Sequence, residues 1–152
     1  MLHNIILPAF IFSALIAAMP SLFDRQDACA TGTSAGYCET LSYNDRTDSS
    51  SPSSADCQQT CRSILTDAGD WGVDFNGQPA GYRDNLVLSD CPFGIERETD
   101  GDSSSFSFSV HNQDIIDVVG QSINKFAGNH GGKVKAEGTM KCDGHTVRWY
   151  VG

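Results

Sequence analysis

His111, His130 and His145, taken with Asp114, Glu137 and Arg148, are the residue types of a small secreted ribonuclease. Imidazole and carboxylate can pass a proton near neutral pH, and a guanidinium can clamp a phosphate. That chemistry requires the groups to meet around one reacting atom, so position decides before residue type. Each histidine falls at the end of an element or in a turn. His111 opens a helix, His130 sits among glycines and His145 follows Asp143-Gly144. Glu137 and Arg148 fall on adjacent strands of one hairpin, where a cross-strand ion pair is the ordinary expectation. No G-x-S-x-G elbow, H-E-x-x-H helix or phosphate loop occurs. We expect a protein that is not an enzyme, with no catalytic residue and no cofactor. The enzyme-class alternative is a small secreted hydrolase or ribonuclease using Glu137 and a turn histidine.

Cys57 and Cys61 stand one helical turn apart, half of a metal site by spacing. The histidines do not complete that set, and no metal is expected. The six cysteines, Cys29, Cys38, Cys57, Cys61, Cys91 and Cys142, all follow an apolar run from Ile5 to Ala18 that ends in small residues. That run reads as a secretory signal peptide over 1–18, too short to span a bilayer comfortably. A leader over 19–36 and a single domain over 37–152 follow. An even cysteine count in a secreted, extracellular chain predicts three disulfides, and spacing alone leaves the pairings open.

The elements that position these residues show in the hydrophobic pattern. Phe106, Phe108 and Val110 alternate with serines as a strand. Asn112 as N-cap and Asp114 in the first turn open a helix whose stripe is Ile115, Ile116, Val119, Ile123 and Phe126. Glycines 128, 131 and 132 stop it. A strand from Lys133 to about Cys142, the two-residue turn Asp143-Gly144 and a return strand over 146–151 make a hairpin. Upstream, Cys38–Tyr43 predicts a strand and 44–54 a loop. Ser53 to Asp56 predicts a capping arrangement for a helix with Cys57, Cys61, Ile64 and Leu65 on one face. Ala68-Gly69 ends that helix. Trp71–Phe75 and Leu86–Ile95 read as further strands, the second with Cys91 inside it. The order predicts an α+β fold: a two-layer sandwich of antiparallel sheet with two helices on one face, stabilised by disulfides.

The net charge is −9. From Ser21 to Asp100 there are fourteen carboxylates against five arginines, and all four lysines lie between Lys125 and Lys141. An acidic body without a basic patch argues against nucleic acid as a partner. Alternation puts Arg148 and Tyr150 on the strand face opposite Trp149, which makes them candidates for a contact surface.

Several runs together carry a resemblance. They are Cys91-Pro92-Phe93-Gly94-Ile95, Asn112-Gln113-Asp114-Ile115-Ile116-Asp117, Gly131-Gly132-Lys133-Val134, Gly138-Thr139-Met140-Lys141-Cys142 and Val147-Arg148-Trp149. Tyr37-Cys38 and Ser54-Ala55-Asp56-Cys57 extend them upstream. The sequence resembles the necrosis-inducing factor family of secreted fungal effectors, homologues of extracellular protein two of a tomato leaf-mould fungus. The resemblance implies fungal origin, a role in virulence or plant cell death, and a fold related to the viral killer toxins of maize smut. It also implies that Cys38, Cys57, Cys91 and Cys142 are the family's four core cysteines. Cys29 and Cys61 are then extra, and pair as a third bridge. The killer-toxin likeness supplies another alternative, a toxin that blocks calcium channels of competing fungi, with Lys133 and Lys135 in the corresponding region. The expected partner is a host protein or an ion channel, engaged by a monomer without a membrane anchor.

Overall fold

The computed structural model describes residues 27–30, 35–67, 69–98 and 105–152. The expected signal peptide over 1–18 lies outside these residues, as do most of the expected leader, Ala68 and residues 99–104.

The domain is a disulfide-stabilised α+β sandwich of two helices and antiparallel strands. The strands are β1 (Cys38–Thr40), β2 (Asn44–Asp45), β3 (Asp70–Asp74), β4 (Arg83–Val87), β5 (Phe93–Glu96), β6 (Ser107–His111), β7 (Ala136–Cys142) and β8 (His145–Val151). The helices are α1 (Ser54–Leu65) and α2 (Asn112–Phe126), the latter followed by one turn of 3-10 helix over Ala127–Asn129. The main sheet runs β1-β7-β8-β5-β4, with β2 also on β7, and β3 pairs with β6 in a separate ribbon. β8 follows every other strand in the sequence yet lies in the middle of the sheet.

Period-two burial aims one side of the hairpin inward. Ala136, Met140, Val147, Trp149 and Val151 are buried, while Glu137, Thr139, Arg148 and Tyr150 alternate with them on the polar side. Trp149, fully buried, lies over Gly138, and its indole N–H donates to the Thr139 carbonyl at 3.3 Å. Removing a side chain of that size from water stabilises the fold by roughly 2–3 kcal/mol. Both helices and both sheets feed the same apolar cluster.

α1 begins with the predicted capping box. Ser53 Oγ accepts from the Asp56 N–H, and the Asp56 carboxylate accepts from the Ser53 N–H at 2.9 Å. Cys57, Cys61 and Ile64 are buried, but Leu65 at the last position is exposed rather than packed with them. α2 is capped one residue earlier than its sequence indicates. His111 is the N-cap, its Nδ1 accepting from the Gln113 N–H at 3.1 Å, and Asp114 closes the box. Asn112 instead accepts from Trp71 Nε1 at 2.6 Å and donates to the Ile64 and Asp67 carbonyls, tying α2 to the end of α1.

Two further differences concern strands. The 86–95 segment is a hairpin, β4 and β5, and not one strand. Pro92 has no N–H to give a ladder, and Cys91 turns away to bond α1. The segment 44–54 is not an open loop: β2 and the residues after it run beside 132–137. Val134 N–H donates to the Pro52 carbonyl and Arg46 N–H to the Lys135 carbonyl, both at 2.9 Å. The Asp143-Gly144 turn has positive φ at both residues, 47° and 85°, as a two-residue hairpin turn requires.

Three disulfides tie these parts together: Cys29–Cys61, Cys38–Cys142 and Cys57–Cys91. The first is the bridge that the resemblance implied, and it anchors the leader. Ala28 N–H donates to Gln58 Oε1 at 2.8 Å, and the Cys29 carbonyl lies where a side chain on Gly120 of α2 would stand.

Candidate functional site

The polar side of the main sheet is the surface that the sequence singled out through Arg148 and Tyr150. Register builds it in two rows. Arg83, Glu96, Arg148 and Thr139 stand across β4, β5, β8 and β7, and beside them stand Asn85, Gly94, Tyr150 and Glu137. In the first row, Glu96 accepts from Arg83 at 2.5 Å and from Arg148 at 3.3 Å. The Glu96 carboxylate raises the Arg83 guanidinium further above its ordinary value. In the second row, Gly94 leaves the space that the Tyr150 ring fills, since a Cβ there would meet the phenol oxygen at 2.1 Å. The Tyr150 hydroxyl bonds Asn85, and Arg83 lies over its ring at 4.4 Å. Burial pushes the Tyr150 phenol up.

Glu137 and Arg148 do not face each other. Glu137 is opposite Tyr150 and pairs with Arg46 at 2.7 Å, whereas Arg148 is opposite Thr139 and reaches Glu96. The expected cross-strand pair is therefore replaced by two others. The sequence reading does not single out Arg46, Arg83, Asn85 or Glu96: Arg46 falls in the expected 44–54 loop, Arg83 and Asn85 precede the expected 86–95 strand, and Glu96 follows it. The alternation of Arg83 and Asn85 with Asp84 and Leu86 was the signal available.

The remaining contact candidates lie elsewhere. Lys133 and Lys135 precede β7, alongside the 44–53 segment. The Lys133 ammonium donates to the Ser51 carbonyl at 3.0 Å, and Lys135 N–H donates to Thr47 Oγ1 at 3.1 Å. Lys135 also lowers the Asp48 carboxyl, after the larger effect of hydrogen bonds from Ser50.

The ribonuclease-type residues each have separate partners. His111 caps α2 and stands 5.1 Å from the Tyr37 ring. His130 Nε2 pairs with Asp45 at 2.7 Å. His145 stacks on Phe106 at 4.1 Å. Asp114 meets His111, but through the backbone, and the carboxylate is spent on structure. Nearly buried, it accepts from the N–H groups of Tyr37, Cys38 and His111 at 2.8–3.0 Å. That clamp joins the start of β1 to the start of α2. Asp45 is held at about 2, chiefly by hydrogen bonds from Thr47 and then by His130. Among the described residues no group of histidine, cysteine and carboxylate side chains is arranged to hold a metal ion.

Residues 37–142 match the Hce2 family, described as "Pathogen effector; putative necrosis-inducing factor". A fungal relative, "Probable chitinase LysM18" of Penicillium expansum, is 32% identical over 107 residues, which is 70% of this chain and 7% of that protein. The chain thus matches only a small part of that relative's length. The family match begins one residue before Cys38 and ends on Cys142, the two ends of one disulfide. With more than two-thirds of its 152 residues inside that match, the chain belongs to this family of pathogen effectors.

Proposed function

We propose that the protein is a secreted fungal effector that works by binding a host target without chemical turnover, and that plant cell death follows where the target is present. One observation carries the reading: the effector-family match coincides with a body locked by disulfides, closed end to end by Cys38–Cys142. Three bridges in a chain of this size suit an oxidising, extracellular setting. Among the described residues no helix is long and apolar enough to cross a membrane. The acid, base and phosphate-clamping side chains are each engaged in separate structural contacts, which supports binding over turnover.

The test is infiltration of the oxidised protein into leaves of several plant genotypes, beside growth assays on yeast and filamentous fungi. Cell death in some genotypes without fungal inhibition is the expected result. Inhibition of fungi that is relieved by added calcium would replace it with the channel-blocking toxin. A second reading, hydrolysis, is favoured by the name of the Penicillium relative. Release of soluble sugar from chitin by the purified protein, lost on Glu137→Gln, would establish it in place of the first.

A further inference from the structure

On the sheet's polar side the charges are largely spent on one another. A different place offers a concave surface. Between α1 and the β4–β5 turn lies a groove of about 330 Å³ lined by Asp56, Gln59, Thr60, Ser63, Leu88, Ser89 and Asp90. Its volume falls at the low end of ligand-sized clefts. Both walls are fixed before any partner arrives. The Cys57–Cys91 disulfide joins the helix to the turn, and Thr60 Oγ1 bonds Ser89 Oγ at 2.7 Å and the Cys91 carbonyl at 2.9 Å. A preformed floor reduces the ordering cost of binding.

The rim holds the apolar feature. Leu88 is 81% exposed, the most open of the large hydrophobic side chains among the described residues, and it is presented by a disulfide-anchored turn. An aliphatic side chain exposed to water beside a groove gains by being covered. The charge on the lining has one sign. Asp56 is kept ionised by hydrogen bonds from Ser53 and Asp90 is exposed, while the cations beside the lining are already engaged: Arg62 donates to Gln59 Oε1 at 3.0 Å and the Lys133 ammonium to the Ser51 carbonyl at 3.0 Å. The whole chain carries −9, so its long-range field draws cations toward the protein as a whole.

We propose that this groove docks a basic, apolar segment of a partner protein, with an aliphatic or aromatic side chain laid on Leu88 and a lysine or arginine reaching Asp90 and the Asp56 end. The proposal deepens the target-binding reading above and rests on it for its biological sense, while the binding itself is measured separately. The partner's segment supplies a positive charge for Asp90, which has no ion pair among the described residues, and an apolar cover for Leu88. Recognition then depends on shape and one or two charges, and it weakens as salt rises.

The experiment uses the full oxidised protein, labelled with 15N, titrated with acetyl-Lys-Leu-Lys-Leu-amide and with acetyl-Glu-Leu-Glu-Leu-amide. The lysine peptide should shift amide resonances of 56–63 and 88–91, and the glutamate peptide should not. Leu88→Ser should weaken the lysine peptide about tenfold. Asp90→Lys should weaken it further and admit the glutamate peptide. Asp56 is left alone because it caps α1; unchanged melting temperature for the other two variants shows that the fold is intact. Equal response to both peptides, shifts on the polar sheet instead, or no shift at millimolar peptide would each overturn the groove. Loss of leaf cell death with Leu88→Ser at wild-type melting temperature would support the groove as the effector surface. If wild-type protein kills no leaf tissue, the effector reading fails while the peptide map still decides the groove.

Discussion

Asp114→Asn is the substitution that most directly tests how the domain is held at its start. Asp114 is nearly buried, and its two oxygens take three backbone N–H groups: Oδ2 from Tyr37 and His111, Oδ1 from Cys38. An amide has one oxygen. At best it keeps the two bonds at Oδ2, and its NH2 then points at the Cys38 N–H, a donor against a donor. The lost bond and the stranded donor cost about 1–3 kcal/mol. Loss of the negative charge from the first turn of α2 adds about 0.3–1 kcal/mol, and the two kept bonds weaken because the acceptor is neutral. The sum is about 2–4 kcal/mol, or a fall in melting temperature of roughly 8–16 °C for a domain of this size. The assay is thermal unfolding of the oxidised protein at pH 7, with urea unfolding as a second measure. A fall of under about 3 °C would refute the clamp as a principal support of β1, and with it the account of why this carboxylate is unavailable for chemistry.

Other perturbations follow from the same coordinates. Asp45 is held at about 2, so its stabilisation is present above the unfolded carboxylate range and disappears as pH falls through about 2. Asp45→Asn should therefore lower the urea midpoint at pH 6, and match wild type near pH 2. Gly138→Ala would put a Cβ 2.0 Å from the Ser42 carbonyl oxygen and 2.6 Å from the Trp149 ring. We expect a loss of about 2–3 kcal/mol in chemical unfolding, with red-shifted tryptophan fluorescence. Replacing Cys38 and Cys142 together by serine opens a bridge with a sequence separation of 104. Chain entropy assigns that bridge about 4–5 kcal/mol, which a urea series on the double variant measures.

The second half of the chain was the more legible half. Its strand, helix and hairpin stand as the alternation at 106–110, the stripe through Ile116 and Phe126, and the Asp143-Gly144 turn indicate, because each is a local pattern with a large apolar share. Long-range demands decided the rest. β2 has two residues and exists only because β7 lies beside it. The β4–β5 hairpin has its turn signal in Ser89-Asp90 and Pro92, but the turn is set by Cys91, whose disulfide partner is 34 residues away. His111 as a cap was missed because histidine is an uncommon residue there, although Asp114 three residues on was the matching half of the box. The polar surface was half visible. Arg148 and Tyr150 were placed by alternation, but Arg83 and Glu96 needed the strand order, which local periodicity does not contain. Leu88 gave no signal at all, since exposure of one leucine depends on what packs nearby.

The position of β8 has a consequence for how the protein is made. Synthesis delivers it after every strand it separates, and β7 only just before it, so for most of translation β1 and β2 have no strand to pair with and β4–β5 stands as a lone hairpin. The two sides cannot close on each other until Val147, Trp149 and Val151 arrive to fill the gap. Meanwhile the first five cysteines have already emerged, and Cys38 must wait for Cys142. Vectorial, piece-by-piece folding is therefore closed to this domain. It must be held open, with its thiols exchangeable, until its central strand is added, and that makes the rate of thiol–disulfide exchange a determinant of yield more than the stability of the finished fold.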